Sequence, residues 1–488
     1  MPVEITALPG VTTASGDIPV SSRRVEAGAT RLRLVHPLIS TALFFLACWH
    51  FFGAIDDRPM HRDEARWIHR AAYIRELMHP FSSYWDEETW IAKGGTLDER
   101  YRLRAQPPMG SYVMGIGFLL QGQDLPDIGF WNMDQDDAWN IKRGNQPSPS
   151  DVTTARRTSA IVGALTVVSV YFIASRLTNP VGSLMAGIFL AFHPLMSHLA
   201  TFAGSDAALG LSIAAAAIAA YRLADRPSWL RAILLGVILG LGASTKLSPL
   251  GVTAPLALLG VIAVAYRLLL LVRETRGNKP PSAESGRNTW PSWRLGLGLL
   301  STPVVALFTF IASYPYLWQD PVANIQALVD YRQWGMDIQG MLWEHIAVET
   351  RTEALQRVGA RLGTEWTTLG RLVERFGWSW IPAGFELTLA AAGLVLLLWL
   401  VAQRGVWSGP ALTATVLTGQ AAITIYGLGV DWARYHLPVL LLVAVCIGVL
   451  AGEIMAGLGR LPSFRHPSPG IPHELPPPPD SPADLDGR

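Results

Sequence analysis

The sequence predicts an all-α polytopic membrane protein, and three observations carry the prediction. Half of the 488 residues are apolar and only 16% are charged, against about 25% charged in soluble domains. About ten apolar runs have the length that a membrane-crossing helix needs. The arginines between those runs fall on alternate connections, as the positive-inside rule requires of a multi-pass chain. The net charge of +1 offers no basic field for a phosphate backbone, so a nucleic-acid partner is excluded. Cys48 and Cys446 lie far apart inside apolar runs and read as small buried hydrophobes.

Residues 1–34 are polar, with Arg23, Arg24, Arg31 and Arg33 just before the first run, and are expected to form a cytoplasmic N-terminal segment. The run 37–55 lacks a small-residue cleavage site and is taken as a retained first span. The others are 159–177, 181–199, 207–223, 229–244, 247–271, 295–314, 385–401, 411–428 and 437–454. Strands of about ten residues with alternating polarity, which a membrane barrel needs, are absent from the sequence. The run 109–120 is about a dozen residues, too short for a clear crossing. Counting it as a crossing would put the first arginine cluster opposite Arg176, Arg222, Arg226, Arg231, Arg267, Arg273, Arg276, Lys279, Arg404, Arg460 and Arg465, so it is placed on the outer surface.

A transmembrane domain then covers 35–458, with two long outer loops at 56–156 and 317–382. Amphipathic stretches at 65–78 and 338–366 predict interfacial helices in those loops. Most of the 18 Trp fall on the outer side, as in an aromatic belt, although a few suit stacking on a sugar. The segment 273–294 reads as a flexible cytoplasmic loop, and the Pro-rich 459–488 as a disordered cytoplasmic tail.

The chemistry-bearing residues gather at the outer ends of the spans. Asp63 and Glu64 follow the first span and open an amphipathic helix. Capping explains such a pair, but an Asp held near the headgroups also suits a general base for a hydroxyl. Gln106-Pro107-Pro108-Met109 is a helix-start signal. His198, Ser205 and Asp206 join the third and fourth spans, either as a cap or, with Asp63, as a base or a divalent-ion site. Lys246 sits in a tight outer turn, against the positive-inside trend, which calls for an anionic partner such as a lipid-linked phosphate unless the side chain merely snorkels. Asp431-Trp432-Ala433-Arg434-Tyr435 opens the last span, where Arg434 either pairs with Asp431 or binds a phosphate by two hydrogen bonds.

Together, Asp63-Glu64, Pro107-Pro108-Met109, Arg156-Arg157, His198 to Asp206, Lys246, Tyr314-Pro315-Tyr316-Leu317-Trp318 and Arg434-Tyr435 resemble the lipid-phosphate-dependent glycosyltransferases of the GT-C type. That family includes protein O-mannosyltransferases and lipid A aminoarabinose transferases. The resemblance runs from about residue 33 to 458 and implies sugar transfer from a polyprenyl phosphate to a protein, lipid or glycan hydroxyl on the outer face of the cell membrane. It implies Asp63 as the base, with Glu64 and Asp206 as further catalytic carboxylates and Lys246 and Arg434 on the donor phosphate. His198, Tyr316, Trp318 and Asp431 become substrate-binding candidates. No cofactor is required by this reading; a divalent metal, if used, has Asp63, Asp206 and His198 as its candidate ligands. Thr201 and Phe202 stand where relatives often carry arginine. Direct displacement with one base would invert the anomeric carbon. The competing class is a lipid or solute transporter, for which ionisable groups near the midplane and an internal repeat are expected.

Overall fold

The computed structural model describes residues 20–56, 58–86, 106–276, 291–378, 380–382 and 384–458, with side chains from Val35 onward. The expected cytoplasmic segment 1–34, most of the loop 273–294 and the tail 459–488 therefore lie largely or wholly outside the described residues. Among the described residues the chain is helical throughout, and its only β-type pairing is an isolated bridge between Ala347 and Val430. An apolar chain in lipid must satisfy its own backbone, and within a single segment only a helix does so.

Helix α1 spans Val20–Phe52, and the long segment after it holds the short helices α2 (Arg62–Arg70), α3 (Tyr73–Glu76), α4 (Met109–Leu120) and α5 (Asp137–Lys142). Then come α6 (Pro149–Leu177), α7 (Pro180–Phe192), α8 (Pro194–Ala200), α9 (Asp206–Asp225), α10 (Trp229–Ala243), α11 (Ser248–Thr275) and α12 (Trp293–Ala312). The second long connection carries α13 (Pro321–Leu342), α14 (Arg351–Ala360) and α15 (Thr368–Phe376), and the bundle closes with α16 (Phe385–Arg404), α17 (Gly409–Tyr426) and α18 (Leu437–Leu458). The starts are written in the sequence. Ser148, Asn179, Ser228, Ser292 and Ser408 each accept a backbone N–H of the first turn, and Pro149, Pro180 and Pro410 occupy positions where a missing N–H costs nothing.

All ten predicted runs form helices, but ten crossings are not established. Among the described residues, seven helices are long and apolar enough to span, or eight if α7 and α8 count as one span bent by 61°. The bend has a local cause. Pro194 has no N–H for the helical ladder and forces His193 into an extended conformation (φ −67°, ψ 127°). Helix α10 has only 15 residues, and α17 is diluted by threonines and Gln420. The predicted interfacial helix at 338–366 is instead the end of α13, a 3₁₀ turn, α14 and a π-helical turn at Arg361–Glu365.

The helices share one apolar core. Helix α12 lies against both α10 and α11, and these three join α6, α7, α9, α16, α17 and α18 in that core, with α1 along its side. Where α7 meets α18, Gly182 faces the carbonyl of Gly448, leaving no room for a Cβ. Each end of the bundle has its own chemistry. Asp63, Asp206, Lys246 and Arg434 meet at one end, and Arg176, stacked over Tyr221 at 5.8 Å, marks the other. Helix α4 does not run between them. Its first amide donates to the Ser244 carbonyl at the carboxylate end, and Gln121 just beyond its last turn donates to Thr154 and Thr158 near the start of α6, at the same end. It lies across that end of the bundle.

Candidate active site

Helix α2 sets the position of the acidic pair. His61 caps it, accepting from the Asp63 amide at 3.1 Å, while Glu64 accepts from the His61 amide at 2.9 Å. The two carboxylates then part. Glu64, 1% exposed, receives Arg156 Nε at 2.9 Å and Nη2 at 2.7 Å and the Ala203 amide at 3.0 Å. The same guanidinium donates to the carbonyls of Ile55, Arg58 and Pro59. Glu64 thus fastens the loop, and its oxygens are taken up by the protein. Asp63 is 23% exposed and receives Arg434 Nη1 at 2.9 Å from a residue 371 positions away. Burial pushes its carboxyl upward, but the charge of Arg434, helped by His61 and Arg66, outweighs this and holds it below the usual aspartate range. Asp63 is therefore ionised at neutral pH.

A cavity of about 250 Å³ opens beside this pair. Asp206 at the start of α9 and Lys246 in the α10–α11 turn line it and bond to each other. Arg434 and Tyr435 close it from the 3₁₀ turn just before α18, and Leu328, Arg332 and Met336 from α13 cover it. Tyr435 organises the cations. Arg332 donates to its hydroxyl at 2.7 Å, and the charges of Lys246, Arg332 and Arg434 stand 5.3, 5.3 and 5.7 Å from its ring centre. Leu247, Ile423, Leu428 and Pro438 supply an apolar side. The cavity thus joins a cationic floor to a greasy wall, which suits an anionic headgroup carrying a hydrocarbon tail.

The remaining candidates stand elsewhere. Arg434 turns away from Asp431, whose carboxylate binds Arg361 at 3.1 Å and His436 at 2.7 Å. Burial raises the Asp431 carboxyl, yet those two partners bring it below its ordinary value; through Arg361 it ties the second long connection to the residues before α18. His198 contacts Arg58 and lies tilted against the Trp366 ring, 5.2 Å between centres. Trp318 donates to the Ile311 carbonyl at 2.8 Å, and Tyr316 is 3% exposed in an aromatic cluster with Tyr314 and Trp85. None of these four lines the cavity. Among the described residues no group of three or more His, Cys, Asp and Glu side chains is placed to hold a metal ion. The candidate ligands Asp63, Asp206 and His198 contact Arg434, Lys246 and Arg58 instead.

Sequence reading missed Arg332. Its signal was present as the i, i+4, i+8 stripe of Leu328, Arg332 and Met336 on one face of α13, but an arginine in a long outer loop reads as solvated until its partner is known.

A family model described as dolichyl-phosphate-mannose-protein mannosyltransferase matches residues 101–284, which include Gln106, Arg156, His198, Asp206 and Lys246. No curated protein matches the chain. Among solved structures it is similar to the archaeal oligosaccharyltransferase AglB from Archaeoglobus fulgidus in complex with an inhibitory peptide and a dolichol-phosphate, at 11% identity and a TM-score of 0.45, covering 88% of this chain and 51% of that one. It is also similar to ArnT from Cupriavidus metallidurans bound to undecaprenyl phosphate, at 18% identity and a TM-score of 0.44, covering 89% and 61%. The chain spans between half and two thirds of the length of these two.

Proposed function

We propose that the protein transfers a sugar from a polyprenyl-phosphate donor to an acceptor hydroxyl, with Asp63 as general base, at the extracytoplasmic face of the membrane. The observation that carries this reading is the cavity in which Lys246, Arg332 and Arg434 converge beside Asp63 and Asp206 with an apolar wall alongside. The match to a mannosyltransferase family model supports the same class. The face follows from the arginine-rich connections at the opposite end of the bundle, which the positive-inside rule assigns to the cytoplasm.

Charge balance supports the donor class. Three cations against two carboxylates leave one excess positive charge, which a phosphodiester neutralises. On arrival the phosphate draws Arg434 from Asp63, and the carboxylate becomes a stronger base as its counterion leaves. The acceptor oxygen attacks the anomeric carbon and gives its proton to Asp63. The bond from that carbon to the phosphate oxygen breaks, and its electron pair stays on the phosphate, where Lys246, Arg332 and Arg434 hold the added charge. One displacement with one base inverts the anomeric centre. Lys246 keeps Asp206 as its ground-state partner, and Glu64 and Asp431 act by positioning Asp63 and Arg434.

The test is transfer by purified protein from polyprenyl-phosphate mannose and related donors to a panel of hydroxyl acceptors. Asp63→Asn should insert and fold normally and lose roughly 10²–10⁴-fold in turnover, the usual worth of a general base. Donor consumption within a few-fold of wild type would remove Asp63 from the mechanism. Movement of intact lipid without cleavage would turn the reading to a transporter.

A further inference from the structure

At the end of the bundle opposite Asp63, a cavity of about 100 Å³ opens between α6, α9 and α17. Packing creates it. Helix α9 lies closely against both α6 and α17, which scarcely touch each other, so the three form a trough with α9 as its floor. Phe172, Ile173, Ala217 and Ile218 line the trough with hydrocarbon, and Arg176 and Arg222, from the last turns of α6 and α9, complete the lining. The Arg176 charge stands 5.8 Å over the Tyr221 ring, and that ring is packed so closely on α17 that a Cβ at Gly409 would meet it at 2.6 Å. Beyond Arg176, exposed Phe172, Leu165 and Ile161 follow one another at helical spacing and carry the apolar face of α6 on into the membrane.

The positive-inside rule and the helix dipole explain why arginines occur at this end. They do not explain why these two stand free. Arg226 pairs with Asp225 at 3.8 Å, while Arg231 and Arg267 donate to the carbonyls of Arg226 and Pro291. Among the described residues, the guanidinium groups of Arg176 and Arg222 have neither a hydrogen bond nor an ion pair. Two free guanidinium groups bordering one cavity match the oxygens of a phosphodiester.

We propose that Arg176 and Arg222 hold the phosphate of an anionic phospholipid whose acyl chain lies in the trough along Phe172 and Ile218. A zwitterionic lipid brings an ammonium group that two arginines repel, so the class is that of phosphatidylglycerol. The lipid comes from the leaflet at this end, which is cytoplasmic in the orientation proposed above and carries the negative surface potential of that side. Seated there, it joins α6 to α17 across the gap and stabilises the folded bundle by its own binding. The site is separate from the sugar-transfer reading and does not depend on it.

The full-length protein in neutral detergent is titrated with phosphatidylglycerol and with phosphatidylcholine of the same chains, and bound lipid is counted by native mass spectrometry. Wild type is expected to hold phosphatidylglycerol roughly tenfold more tightly. Both arginines are exposed, so replacing them leaves the core intact. Arg176→Gln and Arg222→Gln should each weaken phosphatidylglycerol roughly tenfold, as loss of a charge-assisted hydrogen bond does, and shift phosphatidylcholine by less than about twofold. Arg226→Gln, which removes a charge at the same end but outside the cavity, should shift either lipid by less than about twofold, because exposed charges beyond the site are screened. Ile218→Trp, which fills the trough without altering charge, should abolish the preference. An equal loss from Arg226→Gln would reduce the effect to the general charge of that surface and overturn the site. So would a wild type without the preference, or its survival in Arg176→Gln and Arg222→Gln or in Ile218→Trp.

Discussion

Replacing Arg156 with Met should destabilise the protein more than any single change at the cationic cavity. Its guanidinium is 5% exposed and makes five hydrogen bonds, two to Glu64 and three to the carbonyls of Ile55, Arg58 and Pro59. Without it Glu64 keeps only the amides of His61 and Ala203 for a carboxylate that is 1% exposed. Removing one partner of a buried pair costs about 3–5 kcal/mol. Glu64→Gln should cost less, about 1.5–3 kcal/mol, because the arginine retains three carbonyl partners and the amide side chain still accepts. The double variant removes the charge mismatch that each single variant creates, so its loss should fall short of the sum by about 0.5–3 kcal/mol. Equilibrium unfolding in mixed SDS micelles, followed by tryptophan fluorescence, reads these differences. The same anchor places Asp63, and a shift of about 1 Å at a reacting group can cost 10²-fold in rate. A loss below about 1 kcal/mol for Arg156→Met, or strict additivity in the double variant, would refute the anchor.

Arg434→Met removes the main group that lowers the Asp63 carboxyl, leaving burial to raise it; because a base works only above its pKa, the acidic limb of the rate–pH profile should move to higher pH. An unchanged or downward limb would show that Asp63 does not govern it. Arg332→Met should weaken binding of polyprenyl phosphate roughly tenfold, with a smaller loss for Tyr435→Phe, which removes only the hydroxyl that orients Arg332. Equal affinities in a lipid-binding assay would leave Arg332 outside the site. Cysteines at Gln123 and Asp137, both exposed, should react with an impermeant reagent from outside intact cells, while the buried Cys48 and Cys446 stay silent. Protection of both positions would reverse the topology.

What could be read from sequence divides along a physical line. Local signals survived: apolar runs became helices, Ser, Asn and Pro marked their starts, and the short run at 109–120 became a helix with the expected bounds. Pairings between distant residues were not local. Asp431 stands three residues before Arg434 and seemed its natural partner, yet Arg434 reaches Asp63 while Asp431 takes Arg361 and His436. Asp63 and Glu64 are neighbours in sequence and nearly equivalent there. Helical geometry turns them apart, sending one to buried Arg156 and the other to Arg434. Arg332 belongs to the same class, because only the fold reveals what an arginine faces.

The bend at His193 and Pro194 bears on how the chain enters the membrane. Helix α7 is 13 residues long, about 20 Å at 1.5 Å per residue, against a hydrocarbon core of about 30 Å. Partition into lipid as a lone segment therefore favours it only weakly. Gly182 and Asn179, at and before its first turn, are fitted to Gly448 and Gly452 of α18, with the Asn179 amide on the Gly452 carbonyl at 2.6 Å. Helix α18 is the last described helix to leave the ribosome. Until it arrives, α7 has α6 and α1 beside it but lacks this glycine-lined seat. Completion of the core thus waits for α18, and a chain stalled before α18 presents the glycine face of α7 unpaired to lipid or to a neighbouring chain.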